Sequence, residues 1–319
     1  MLNTQIKSIL TSEKSLVDAS NSNSPITLSQ ITATQLVDYY KDRSLFSKYS
    51  QGNTVLEVSQ RSISVMLNPS TVFKNRTDGI GAGAPDKFRL GKQVSVSWNE
   101  PLVAYEGLTA QEKELLPIDI ASIKLSKMSQ DFVRLTERTA FNLLENRAIE
   151  NSKVSIIDFE TKTPAEYKKE IVKLATKLTL TYSPEQGIDQ IAPDDILVSI
   201  HPVAFDYLAD AGVVGDRAKE TFDGGQYSIG YIGGYKVVSN PFLNQLDVLV
   251  APTFVGLRAV NAIKMYMGPI DNASADIVVR AEIANALGVL YTGLVYGIAS
   301  SAKSKQNEDK FITEPVTRD

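Results

Sequence analysis

The stretch from Ile118 to Glu150 constrains this chain more than any other. Along it Leu125, Met128, Phe132, Leu135 and Leu143 form one apolar stripe, while Lys124, Lys127, Asp131, Arg134, Glu137, Arg138 and Glu145 fill the other positions. The spacing predicts one unbroken α-helix. At about 1.5 Å per residue it would be on the order of 50 Å long, longer than a small domain is wide. One narrow stripe cannot bury such a rod in the middle of a core, so the pattern suits a helix laid across a sheet.

The rest of the chain supplies strands and shorter helices. Thr163-Pro164-Ala165-Glu166 is a capping box with proline at the first helical position, and Tyr167, Ile171, Leu174, Ala175 and Leu178 give the helix after it a buried face. Ile196 to Ile200 reads as a buried strand opened by Asp194 and Asp195, and Pro202 to Asp210 as a short helix stopped near Gly212. Tyr227 to Ile232 and Tyr235 to Ser239 make a hairpin around Gly233-Gly234. Val248 to Ala251 is a further strand, with extended stretches expected at Ile277 to Ala281 and Val289 to Tyr296.

Nearer the N-terminus, Ile63, Val65 and Leu67 alternate with polar or flexible neighbours, as do Val94, Val96 and Trp98. A long polar run with glycines at 79, 81 and 83 separates them, which predicts a long hairpin with a flexible tip. Lys74, Arg76, Lys87, Arg89 and Lys92 outnumber Asp78 and Asp86 there, so the tip is locally basic. The first fifty residues are polar, with a loop at Asn21 to Pro25 and one short helix from Thr32. They hold too few apolar side chains to make a core alone. Ser301 to Asp319 is polar and expected to be loose. The class is α+β, with strands and helices segregated.

Chemistry is sparse. The chain contains no cysteine and one histidine, which excludes disulfides, thiolate metal sites and cysteine nucleophiles and means that a metal site would need mostly carboxylates. His201 stands between a strand and Pro202 with no nucleophile placed for it, so a strand-end packing role outweighs a general base. Gly79 to Ala84 fits G-x-G-x-x-A, but neither the preceding strand nor the following helix of a dinucleotide site is there. No catalytic, cofactor-binding or metal-binding residue is assigned. A formal net charge of -4 does not suit a general nucleic-acid binder. No signal peptide or membrane span is expected, and synthesis in a bacterial-type cytoplasm is.

The C-terminal half carries a resemblance. Asp194 to Pro202, with Phe205 and Leu208 beyond it, resembles the strand, proline and short-helix segment of tailed-phage major capsid proteins. Ser228 to Pro241 looks like that family's glycine-turned hairpin, and Ile277 to Glu282 with Leu287-Gly288-Val289 is similar to its closing strand. The order of a polar arm, long hairpin, long helix and mixed body matches the Hong-Kong-ninety-seven-type capsid fold. The resemblance implies an N-terminal arm at 1–57, an extended hairpin or E-loop at 58–116, and a spine helix with peripheral domain at 117–190. An axial domain at 191–284 and a return to the peripheral domain with a tail at 285–319 complete the series.

The implied function is an icosahedral shell of hexamers and pentamers enclosing double-stranded DNA, confined but not read by sequence. The implied location is the virion capsid, assembled in the bacterial host cytoplasm. Lys74, Arg76, Lys87, Arg89 and Lys92 would contact a neighbouring copy. A portal and a separate scaffolding protein are the other expected partners, since only a short arm precedes the hairpin. An encapsulin-like compartment shell, a tail or connector protein and an enzyme built on His201 are the alternatives.

Overall fold

The structure, a computed structural model, describes residues 26–27, 43–50, 62–67, 69–70, 91–109, 117–158, 161–214, 229–269 and 277–303. The first elements are β1 (Ile26–Thr27), β2 (Ser62–Met66), β3 (Gln93–Ser97), β4 (Leu102–Leu108), α1 (Pro117–Glu150), β5 (Val154–Ile156) and α2 (Pro164–Thr179). Then come β6 (Tyr182–Ser183), β7 (Ile188–Asp189), β8 (Ile196–Ile200), α3 (Pro202–Asp210), β9 (Ile229–Ile232) and β10 (Tyr235–Ser239). The series closes with β11 (Val248–Pro252), β12 (Gly256–Pro269), β13 (Ile277–Val289) and β14 (Tyr296–Ala299). These form two units that interleave in sequence. One comprises Met1–Arg61, Ser97–Phe141 and Leu257–Gly288; the other comprises Ser62–Val96, Asn142–Gly256 and Val289–Asp319.

In the first unit a four-stranded sheet has the order β1-β12-β13-β4. β4 runs antiparallel to β13 from Ile277 opposite Leu108 to Ile283 opposite Leu102. The segment around Phe46 and Tyr49 is tied down by aromatic packing. Both rings meet Phe141 edge-on, at centroid distances of 6.1 and 5.9 Å. This geometry suits ring quadrupoles better than a face-to-face stack.

In the second unit a six-stranded sheet has the order β5-β14-β11-β8-β10-β9. β8 runs parallel to β10 and β14 parallel to β5, while β11 is antiparallel to both β8 and β14. β8 and β11 are buried at every residue, which is why their sequences are nearly continuous apolar runs. α2 packs on β8 and β11. Its capping box forms as read, with Thr163 accepting from the Glu166 N–H and Glu166 accepting from the Thr163 N–H. The five side chains predicted for its inner face are the buried ones. Gly233 and Gly234 take positive φ of 59° and 91° in the β9–β10 turn, a backbone that side-chain-bearing residues resist.

Three expectations need correction. α1 forms as predicted, but its buried face is not a straight apolar stripe. The buried residues fall in pairs every four positions, Met128 with Ser129, Phe132 with Val133, Thr136 with Glu137, Ala140 with Phe141 and Leu144 with Glu145. That spacing is slightly longer than the helical repeat, so the buried face winds steadily round the helix. Reading one straight stripe drew in Leu135, which is 50% exposed, and Leu143, which is half-buried. Second, Val289 to Tyr296 is not a strand: β13 ends at Val289, a short turn occupies Thr292–Leu294, and β14 begins only at Tyr296. The turn is set where the Leu290 and Tyr291 N–H groups both reach the Val255 carbonyl. Third, Ser301 to Lys303 are held in place. Ser301 donates from its N–H and its hydroxyl to Asp158, at 2.7 and 2.6 Å. Residues 304–319 and the helix expected from Thr32 lie outside the described residues.

Candidate functional site

No catalytic constellation emerges among the described residues. No three His, Asp or Glu side chains among them approach as a metal site would need. His201 ends β8 and serves as N-cap of α3 through its backbone. Its N–H donates to the Asp247 carbonyl at 2.8 Å and its carbonyl accepts from Phe205 at 2.9 Å, with no cap bond from the imidazole. Burial and the nearby Lys303 charge lower its pKa, with Asp247 opposing them. Asp194 and Asp195 lie in the turn that opens β8. Among the described residues no helix is long and apolar enough to cross a membrane.

What the sequence missed is a pair of buried carboxylates on α1. Glu137 is fully buried in the first unit against Arg258 of β12, which is itself 1% exposed. Arg258 Nη1 donates to Glu137 Oε1 at 2.9 Å and to Ser44 Oγ, while Nη2 donates to Thr136 Oγ1 at 3.2 Å. The Ser44 hydroxyl donates to Glu137 Oε1, and the Phe46 N–H donates to Oε2 at 2.9 Å. Burial pushes the carboxyl up; Arg258, Ser44 and Phe46 pull it down. The cluster fastens residues 44–46 to α1 and β12. Glu145, four residues beyond Phe141 as Glu137 is four before it, is buried in the second unit. Both glutamates lie four residues from Phe141, one on each side, and so share its face of α1.

The hairpin shows at its base. β2 and β3 pair as a two-stranded ribbon, with Ser64 Oγ and Ser95 Oγ 3.1 Å apart and the Leu67 N–H donating to the Lys92 carbonyl at 3.0 Å. The base is also tied to the loop after β6, where the Ser70 N–H donates to the Pro184 carbonyl at 2.9 Å. Gly91 permits the close approach: a Cβ there would lie 1.3 Å from the Leu67 carbonyl oxygen. Lys92 is exposed at this base. Lys74, Arg76, Lys87 and Arg89, with the Gly79 to Ala84 run, lie outside the described residues. Large apolar side chains also stand exposed. Val103 and Tyr105 project on one face of β4, and Leu180 and Tyr182 stand at the end of α2 and on β6.

No protein-family model and no curated protein matches this chain. Solved structures do. The capsid of cyanophage P-SCSP1u matches with a TM-score of 0.59 at 10% identity, over 81% of this chain and 88% of that one. The capsid of Ralstonia phage GP4 matches at 0.55 and 11% identity, over 81% and 90%. A virus-like particle from Pyrococcus furiosus matches at 0.53 and 13% identity, over 83% and 96%. The chain has the Hong-Kong-ninety-seven-type capsid fold, in an α+β arrangement of a long helix and mixed sheets.

Proposed function

We propose that this chain is the major shell subunit of a phage particle, assembling in many copies into an icosahedral shell around double-stranded DNA. One observation carries the reading: the fold match to the cyanophage capsid spans 81% of this chain and 88% of the other. Among the described residues the buried carboxylates Glu137 and Glu145 hold chain segments together, as a structural subunit requires. In this reading residues 1–57 are the N-terminal arm, 58–116 the extended hairpin, 117–190 the spine helix and peripheral domain, 191–284 the axial domain and 285–319 the return to the peripheral domain with the tail. The basic hairpin residues Lys74, Arg76, Lys87, Arg89 and Lys92 contact a neighbouring copy, and the exposed apolar side chains on β4 and β6 become covered on assembly, as obligate interfaces require. Hexamers and pentamers are the building blocks, with a scaffolding protein and a portal as partners in the host cytoplasm.

An encapsulin-like compartment shell holding protein cargo in place of DNA is the second reading, and a fold shared with a virus-like particle from Pyrococcus furiosus is compatible with it. Negative-stain electron microscopy of the purified protein, with light scattering, tests the proposal. Closed shells or capsomer rings support it, and nuclease-protected DNA against copurifying cargo protein separates the two readings. A monomer or dimer that persists at high concentration with a candidate scaffold present overturns both.

A further inference from the structure

Exposed charges in the second unit are sorted by sign. On α2, Lys169, Lys173 and Lys177 follow one another at four-residue steps, about 6 Å apart, and Lys168 stands beside them. All four are exposed, outside the buried face made by Ile171, Leu174 and Leu178. Lys173 meets Glu170 at 3.0 Å, whereas among the described residues Lys168, Lys169 and Lys177 have no salt-bridge partner. The helix dipole favours Lys177 in the last turn. The row as a whole is not explained by the helix, because like charges four residues apart weaken it.

Beyond Lys177 the sign changes, and no lysine or arginine occurs again before Arg217. Glu185, Asp189, Asp194 and Asp195 are all exposed, and among the described residues none of them has a salt-bridge partner. This acidic stretch is fastened to the end of α2. The Ile191 N–H donates to the Thr179 carbonyl and the Gln190 N–H to the Thr181 carbonyl, each at 3.1 Å. Between the lysines and the acids along the chain, Leu180 and Tyr182 stand 67% and 69% exposed. α3 packs beside α2 and exposes Asp206 and Asp210, but among the described residues neither forms a salt bridge with these lysines.

We propose that the lysine face of α2 in one copy docks against the acidic 185–195 stretch of the next copy, with Leu180 and Tyr182 covered between them. The contact rests on the shell reading, in which many copies meet. A polyanion such as duplex DNA would account for the lysines alone, and a basic partner for the acids alone. A second copy supplies both faces at once, with matching sign. Exposed ion pairs add little affinity, but they set register and speed the encounter. The apolar pair belongs to the dry centre of such a contact and the charges to its wet rim. Because the two faces differ, the contact is head-to-tail, the kind that closes into rings.

Charge reversal and mixing test it on the full chain, with assembly followed by light scattering. Going from about 50 to about 500 mM salt shortens the screening length roughly threefold, so wild-type assembly should slow. A variant carrying K168E, K169E, K173E and K177E presents two acidic faces. One carrying E185K, D189K, D194K and D195K presents two basic faces. Each alone should assemble at least about 10-fold more slowly than wild type at low salt, and should quicken as salt screens the repulsion. Mixed in equal amounts they should assemble again, since each acidic face then finds a basic one. A contact within one copy could not be rescued by mixing. Variants as fast as wild type, or a mixture no faster than its parts, overturn the contact. So does a lysine variant that assembles normally but no longer binds duplex DNA, which would assign the row to phosphates. If a reversed variant does not fold, the neutral set K168Q, K169Q, K173Q and K177Q decides: it should flatten the salt dependence, and an unchanged dependence overturns the proposal. A wild-type chain that forms no assembly removes the shell reading and this contact together. A failed mixture beside an assembling wild type removes the contact alone.

Discussion

Replacing Arg258 with methionine isolates what the buried ion pair of the first unit contributes. The substitution keeps most of the volume but removes the donors that meet Glu137 Oε1 at 2.9 Å, Thr136 Oγ1 at 3.2 Å and Ser44 Oγ. Glu137, with no exposure, would keep only the Ser44 hydroxyl and the Phe46 N–H. Removing one member of a buried pair costs about 3–5 kcal/mol, mostly because the survivor is left as an uncompensated charge. Adding Glu137→Gln to Arg258→Met keeps the acceptor for Ser44 and Phe46 and removes that charge. The double variant should therefore lie within about 1–2 kcal/mol of wild type, far from the sum of the single costs. Trp98 is the only tryptophan and lies in the same unit, so its fluorescence in a urea titration follows the transition. Without Arg258 the Glu137 pKa rises further, because that guanidinium is the largest influence holding it down. Stability of the single variant should then recover as pH falls toward 4.5. A cost under about 1 kcal/mol for R258M, or a double variant as costly as the two singles added, would refute the reasoning.

Thr163→Ala removes the capping box of α2 and should cost about 1 kcal/mol in urea unfolding at neutral pH; no loss would mean that proline and tertiary packing set the helix start unaided. Gly91→Ala should disrupt the hairpin base, because the added Cβ meets the Leu67 carbonyl oxygen and not a movable side chain. Limited proteolysis should then cut faster between residues 67 and 91, and in the shell reading fewer closed particles should form. Unchanged cleavage would show that the strands can part without loss.

Local signals were well written in the sequence. The α2 cap, the Gly233-Gly234 turn and the buried run of β8 each rest on residues within a few positions of one another, and each was legible. What escaped depends on partners far along the chain. Glu137 is buried because Arg258 lies 121 residues away, and Glu145 because the N–H groups of residues 244–246 turn toward it about 100 residues on. Periodicity treats a glutamate as solvent-facing whatever waits for it, so both were placed on the polar side of α1. The same blindness drew a straight stripe where the buried face winds round the helix from Met128 to Ala148 and takes in polar side chains. The basic hairpin was read from composition, and only its base and Lys92 lie among the described residues.

The position of β14 sets a schedule for synthesis. It is the last strand of the sheet to be made, yet it lies between β5 and β11 and not at an edge. From the emergence of Pro252 to that of Tyr296, about forty residues later, the growing chain carries two strands with no partner for their facing edges. At about 5–20 residues per second that gap lasts roughly 2–9 s on the ribosome. Open strand edges of this kind invite pairing with other chains. Many ribosomes reading one message would hold such edges side by side, so a helper that shields nascent chains, or wider spacing of ribosomes, should raise the yield of soluble subunit.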